Sequence, residues 1–224
     1  MLRQIVIDTE TTGLDPSDGH KIIEIGCVEL LDREITGNNF HVYINPKRKI
    51  ESGASVVHGI SDEFLADKPI FAEIVDEFLA YITGAELIAH NAKFDVGFLD
   101  YEIKVLRQKK KPIAAIATIF DTLALARKKN PGQRNTLDAL CKRYQVNNSK
   151  REFHGALLDA SLLAEVYLRM TGGQTSLFDD VVEEKTVTQE VKRSAERRKL
   201  VIIRATPEEE MAHQKYLERI KKKI

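Results

Sequence analysis

The sequence predicts an α/β fold: a mixed five-stranded sheet flanked by helices, with a flexible polar tail behind it. Three observations predict it. Short apolar runs suited to buried strands lie at 2–8, 22–32, 40–45, 86–90 and 116–122. Segments with apolar residues at helical spacing separate the later runs and follow the last one. After Gly173 the composition shifts to Glu, Lys and Thr, which cannot bury a core of its own. A chain of 224 residues accommodates one sizeable domain plus an extension of this kind.

In chain order, LRQIVID (2–8) reads as the first strand. IIEIGCVELLD (22–32) and FHVYIN (40–45) follow, separated by DREITGNN, so the first three strands read as an antiparallel meander. FAEIVDEFLAYI (71–82) has a helical stripe, ELIAH (86–90) is a short strand, and FDVGFLDYEIKVLR (94–107) is a helix. IATIFDT (116–122) is a strand passing into a helix. Asn135 or Thr136 caps LDALCKRY (137–144), and GALLDASLLAEVYLRM (155–170) is a long helix stopped by Gly172-Gly173. A meander feeding crossover helices gives helices on both faces, the order of a ribonuclease H-like domain.

The chain carries 34 basic and 34 acidic residues, with 22 and 24 of them in residues 1–172. That balance excludes a protein that grips nucleic acid by charge alone. Cys27 and Cys141 sit in apolar segments and read as buried free thiols, which fits a reducing cytoplasm. No apolar run approaches the roughly 18 residues of a membrane span, and the N-terminus shows no signal-peptide pattern.

The first strand ends in Asp8-Thr9-Glu10. Side chains two apart on a strand point the same way. Two carboxylates about 4 Å apart repel by roughly 4 kcal/mol at an effective dielectric near 20. A divalent cation converts that repulsion into a binding site. By itself the triplet is better read as a solvated turn, because the pattern is common. Asp95 by itself fits a helix-dipole acid, and His154 a capping histidine. Asp159 is less easily explained, because it interrupts the apolar ALLDASLLAEV.

Together, VIDTETTGLD, HNAKFDVGFLD and HGALLDASLLAEVY place D-x-E, then D, then H-x4-D in order. This constellation resembles the DEDD superfamily of 3′–5′ exonucleases, in its histidine-containing branch, over residues 3–172. GHKIIEIG, VHGISDEFLADKP, GQRNTLDALCKRY and LLAEVYLRMTGGQTSLF resemble the proofreading subunits of bacterial DNA polymerase III within it. The resemblance implies a catalytic set of Asp8, Glu10, Asp95, His154 and Asp159. The four acids would hold two divalent cations, Mg²⁺ or Mn²⁺, with Asp8 shared, and His154 would be the general base. It further implies that Thr9 to Leu14, including Thr11, run along the terminal nucleotide of a DNA primer, with Leu14 against its base. His58, His90, Asn91 and Phe94 are further substrate contacts by the same resemblance. Gly53 stands where relatives often place an acid. Asp121 is expected to be a structural group beside the site.

The tail is expected to divide into a linker (173–195) and a docking segment (196–224). Gln174, Leu177 and Phe178 resemble a sliding-clamp-binding motif, spanning 174–179. KLVIIRATPEEEMAHQKYLERIKKK has a Thr206 cap with Pro207 at the first helical position. By resemblance it would dock on the catalytic polymerase subunit. The roughly 20 residues between the two anchors span about 25 Å as a flexible chain. A small accessory subunit on the nuclease domain is a further partner that the resemblance leaves open. Two competing readings are an RNA-trimming nuclease of the same fold and an inactive bridge between clamp and polymerase.

Overall fold

The computed structural model describes residues 2–106, 110–149, 151 and 153–172, together with Pro207 and Met211. One sheet holds β1 (Arg3–Thr11), β2 (Ile22–Leu31), β3 (Glu34–Ile35), β4 (Phe40–Tyr43), β5 (Glu86–Ala89) and β6 (Thr118–Asp121). The helices are α1 (Ser52–His58), α2 (Asp62–Leu65), α3 (Phe71–Ile82), α4 (Ala92–Val105), α5 (Thr122–Lys129), α6 (Leu137–Arg143) and α7 (Ala156–Thr171). The strand order is β3-β2-β1-β5-β6, with β4 also paired to β2. β2 runs antiparallel to β1, β3 and β4, while β5 runs parallel to β1 and β6.

The meander and the mixed sheet are as the sequence predicts, but among the described residues the strands number six rather than five. The extra strand, β3, is two exposed residues long and carries no apolar alternation to read. α1 and α2 are also unanticipated. α1 buries only His58 and α2 only Leu65, so neither shows an apolar stripe. At the start of α6, Thr136 rather than Asn135 is the cap, its hydroxyl accepting from the Ala139 N–H. Pro207 and Met211 are both helical. The remaining residues of 173–224, including Gln174, Leu177, Phe178 and Thr206, lie outside the described residues.

Alternation along β1 builds a core on each face of the sheet. Ile5 and Ile7 join a cluster with Phe71, Val75, Phe78 and Ile82 of α3 and Phe98, Leu99 and Ile103 of α4. Val6 joins Val28, Leu30 and Ile88 against Ala160, Leu163, Ala164 and Tyr167 of α7. Each large apolar side chain fully buried this way contributes about 1.5–3 kcal/mol. A third cluster, with Ala126, Leu140, Cys141 and Val166, braces α5 and α6 on the outer side of α7. Cys27 and Cys141 are both buried free thiols.

One glycine sets the distance between α7 and the sheet. Gly26 of β2 is the cross-strand partner of Asp8. A Cβ on Gly26 would lie 2.2 Å from the Leu157 nitrogen, so only glycine lets the first turn of α7 rest on β2. The start of α7 is thereby held over the acid end of β1.

Candidate active site

The site forms where β1 leaves the sheet between its two helical layers. Asp8 and Glu10 extend the even-numbered set of β1, the face covered by α7. Thr9 belongs to the other face, and its hydroxyl donates to Asp95 Oδ1 at 2.8 Å. Asp95 is buried in the first turn of α4. That helix begins at Asn91, whose φ of 74° lies in the left-handed region that asparagine tolerates. Asp159 is buried in the first turn of α7, and His154 precedes that helix, its backbone N–H donating to Val57 O. A register shift between Glu10 and Thr11 ends the regular ladder at this point.

These groups line one cleft of about 700 Å³. Asp8, Glu10, Asp95, His154 and Asp159, the five positions of the sequence constellation, all face it, as do His90, Asn91 and Phe94. Ligand atoms of Glu10, His154 and Asp159 lie within 4.8 Å of one another. Thr11, Leu14 and His58 line an adjoining groove of about 430 Å³, which shares Thr9, Glu10 and Phe94 with the first. Leu14 is largely exposed there, and Gly53 on its far wall leaves open space where a side chain would be.

Electrostatics separates the acids. Burial pushes the Asp8 carboxyl well above the usual range, and Asp95, Glu10 and Asp159 push it further. Burial, then Asp159, Glu24 and Asp95, raises Glu10 to about 8. Burial raises Asp95 to about 7 against the opposing hydrogen bond from Thr9. The Arg151 charge opposes the shifts of Asp8 and Glu10 without cancelling them, and hard oxygen donors crowded in this way fit a divalent metal ion, which would stabilise their charged forms.

Asp159 is placed differently. Arg151 donates Nε to its Oδ1 and Nη2 to its Oδ2, both at 2.6 Å. The same guanidinium donates Nη1 to Asp138 Oδ1 at 2.6 Å, and its Nη2 lies 2.9 Å from His154 Nδ1. A guanidinium can only donate, so Nδ1 carries the lone pair. Nδ1 is also 3.3 Å from Asp159 Oδ2. Arg151 and Asp138 were not singled out from the sequence. Asp138 lies in the first turn of the helix predicted over 137–144, and Arg151 in a polar segment before the H-x4-D motif, where the available signal was a basic residue three positions before His154.

The other histidines are engaged elsewhere. His90 uses both ring nitrogens, Nδ1 with Thr122 Oγ1 at 3.0 Å and Nε2 with Asn135 O at 2.8 Å, which fixes the turn into α4. His58 accepts from the Ile60 N–H at Nδ1, while its buried Nε2 has no partner among the described residues. Asp121 caps α5, accepting from the Leu123 and Ala124 N–H groups.

Comparison with known proteins agrees with this geometry. A family model described as exonuclease matches residues 5–167. DNA polymerase III subunit epsilon of Salmonella typhimurium is 53% identical over 99% of this chain and 94% of its own. The subunit of the same name from Haemophilus influenzae is 51% identical, covering 99% of this chain and 91% of its own. Among solved structures, exonuclease X in complex with 5′ overhanging duplex DNA superposes with a TM-score of 0.60. It is 29% identical, over 77% of this chain and 92% of its own. Exonuclease I of E. coli, bound to single-stranded DNA, is 18% identical with a TM-score of 0.66 over 80% of this chain and 42% of its own, and shares the fold.

Proposed function

The chain belongs to the exonuclease family and, within it, to the DNA polymerase III epsilon subunits, and from this premise we infer that it proofreads DNA synthesis. It is a 3′–5′ exonuclease of the replicative polymerase, removing mispaired 3′-terminal nucleotides as 5′-monophosphates. One observation carries the chemistry: four acids from β1, α4 and α7 converge with His154 on one cleft. Members of this family need divalent metal ions. Here Asp8, Glu10, Asp95 and Asp159 would hold two, Mg²⁺ or Mn²⁺, which would supply charge neutralisation at the phosphate and a more acidic water.

The chain's own groups do the rest. His154 takes the proton of the attacking water on its lone-pair nitrogen. Thr9 fixes the Asp95 carboxylate through its hydroxyl. Phe94, Thr11, Leu14 and His58 line the groove that receives the terminal nucleotide, with Asn91 at the entrance to α4. His90 acts through its two hydrogen bonds to hold that entrance. The near-neutral charge suits an enzyme whose primer end is delivered by a polymerase. Mispaired ends unstack at low cost, so fraying supplies the selectivity.

Residues 174–179 bind the sliding clamp through Gln174, Leu177 and Phe178, and residues 196–224 dock on the polymerase catalytic subunit. Two weak anchors on one tether reinforce each other through effective concentration. A small accessory subunit on the nuclease domain is a further partner.

The test is a 5′-labelled primer–template, paired or mispaired at its 3′ end, with an RNA oligomer of matching sequence. Stepwise shortening, faster on the mispair and lost with EDTA or with Asp8→Ala/Glu10→Ala, is expected. Faster trimming of the RNA would replace the DNA reading. In a companion pull-down, deleting 196–224 is expected to abolish polymerase association while sparing cleavage.

A further inference from the structure

We propose that Arg151 is an internal competitor of the metal ion: it latches Asp159 and His154 together, and a divalent cation must displace it onto Asp138 to load the site. The inference rests on the reading of Asp159 as a metal ligand. Both oxygens of Asp159 accept from this one guanidinium, at 2.6 Å each. The fork–carboxylate arrangement is the strongest charge-assisted pairing available to an arginine. Only 7% of the Arg151 side chain and 3% of the Asp159 side chain are exposed, so solvent screens the pair little.

A divalent cation on Asp159 would lie within a few ångström of this positive charge. The two cations repel each other and seek the same oxygens. The guanidinium has somewhere to go. Its Nη1 is already on Asp138, whose side chain is 59% exposed, so withdrawal from Asp159 leaves it paired in a more solvated place. Withdrawal also frees the lone pair of His154 Nδ1, now facing Nη2 at 2.9 Å. Ligand and base would thus be released in one movement. Nuclease chemistry would be coupled to metal loading.

The latch makes a prediction that bracing does not: two substitutions at one ion-pair cluster shift metal affinity in opposite directions. Arg151→Gln removes the competitor and is expected to tighten Mn²⁺ binding about tenfold. Asp138→Asn removes the resting place, makes release costlier and is expected to weaken Mn²⁺ binding several-fold. The experiment is a Mn²⁺ titration of the full chain, followed by the electron paramagnetic resonance signal of free Mn²⁺. A thermal melt in EDTA and in saturating Mn²⁺ accompanies it. The destabilisation of Arg151→Gln seen in EDTA should shrink when Mn²⁺ is saturating.

If Arg151→Gln does not fold, Arg151→Lys serves. It keeps the charge, loses the fork and should tighten Mn²⁺ binding by a smaller factor. Unchanged or weaker Mn²⁺ binding in the arginine variants, or tighter binding in Asp138→Asn, would overturn the latch and leave Arg151 as a brace for Asp159. Asp159→Asn separates the two levels of the reading. Its loss of Mn²⁺ binding is expected. Retained binding would refute the ligand assignment itself, and with it any competition at that residue.

Discussion

The two halves of the cleft hold their acids in opposite ways. On the β1–α4 side, half-buried Asp8 and Glu10 crowd against buried Asp95, and each carboxyl is driven up from its ordinary range. On the α7 side, Asp159 is at least as deeply buried, yet Arg151 grips both of its oxygens. One half stores repulsion that the Arg151 charge offsets only in part. The other carries its own cation. The comparison teaches that burial alone does not make a metal platform: what matters is whether the fold supplies a counter-charge.

The largest effect should come from the repelled side. Asp8→Asn is expected to cut turnover by about three powers of ten or more, because several kcal/mol of charge stabilisation at the phosphate would depend on the ions proposed to bind at Asp8. Single-turnover cleavage of a mispaired primer measures it. The same change should raise thermal stability in EDTA, since it removes a carboxyl whose charged form burial and then Asp95, Glu10 and Asp159 penalise. His154→Ala comes next, lowering kcat by about 10²–10⁴ while Mn²⁺ binding persists. Unchanged kcat in that variant would remove His154 from the role of base.

On the gripped side, Asp159→Asn should destabilise the protein in EDTA by about 3 kcal/mol, because it strips a buried arginine of its principal partner. Chemical denaturation measures this. The pH dependence sharpens the contrast. Asp95 and Glu10 have folded values of about 7 and about 8, above their ordinary 3.8 and 4.5. Groups raised in this way contribute stability that is fully present below their ordinary values and is lost as pH rises through the folded ones. The melting temperature in EDTA should therefore fall between about pH 4 and pH 8, and saturating Mg²⁺ should flatten the fall. The smallest effect belongs to Thr9→Val, which deletes one hydrogen bond to Asp95 and should cost about 1 kcal/mol in Mg²⁺-bound protein.

Legibility from the sequence followed the same divide. Strands β1, β2 and β4 announced themselves as apolar runs, and α3 and α7 by helical spacing, because each buries a continuous face. Helices α1 and α2 and strand β3 stayed hidden, since each buries at most one residue and gains its place from neighbours. Of the convergent acids only Asp159, within ALLDASLLAEV, conflicts with its own surroundings; the others were legible through the ordered D-x-E, D and H-x4-D motifs and the family they resemble. Arg151 was not legible. A basic residue in a polar loop violates no local rule, and its partner Asp159 lies eight residues further on, within another element. The packing of α7 on Gly26 was equally invisible, because IEIGC reads as an ordinary strand until the helix that needs the missing side chain is in place.

The most direct measurement compares wild type, Asp8→Asn and Asp159→Asn by thermal denaturation in EDTA at about pH 8. Both substitutions replace a carboxylate by an amide of the same shape. The account predicts opposite signs: a higher melting temperature for Asp8→Asn and a lower one for Asp159→Asn. Shifts of the same sign would contradict it, and would mean that the two halves of the cleft hold their acids alike.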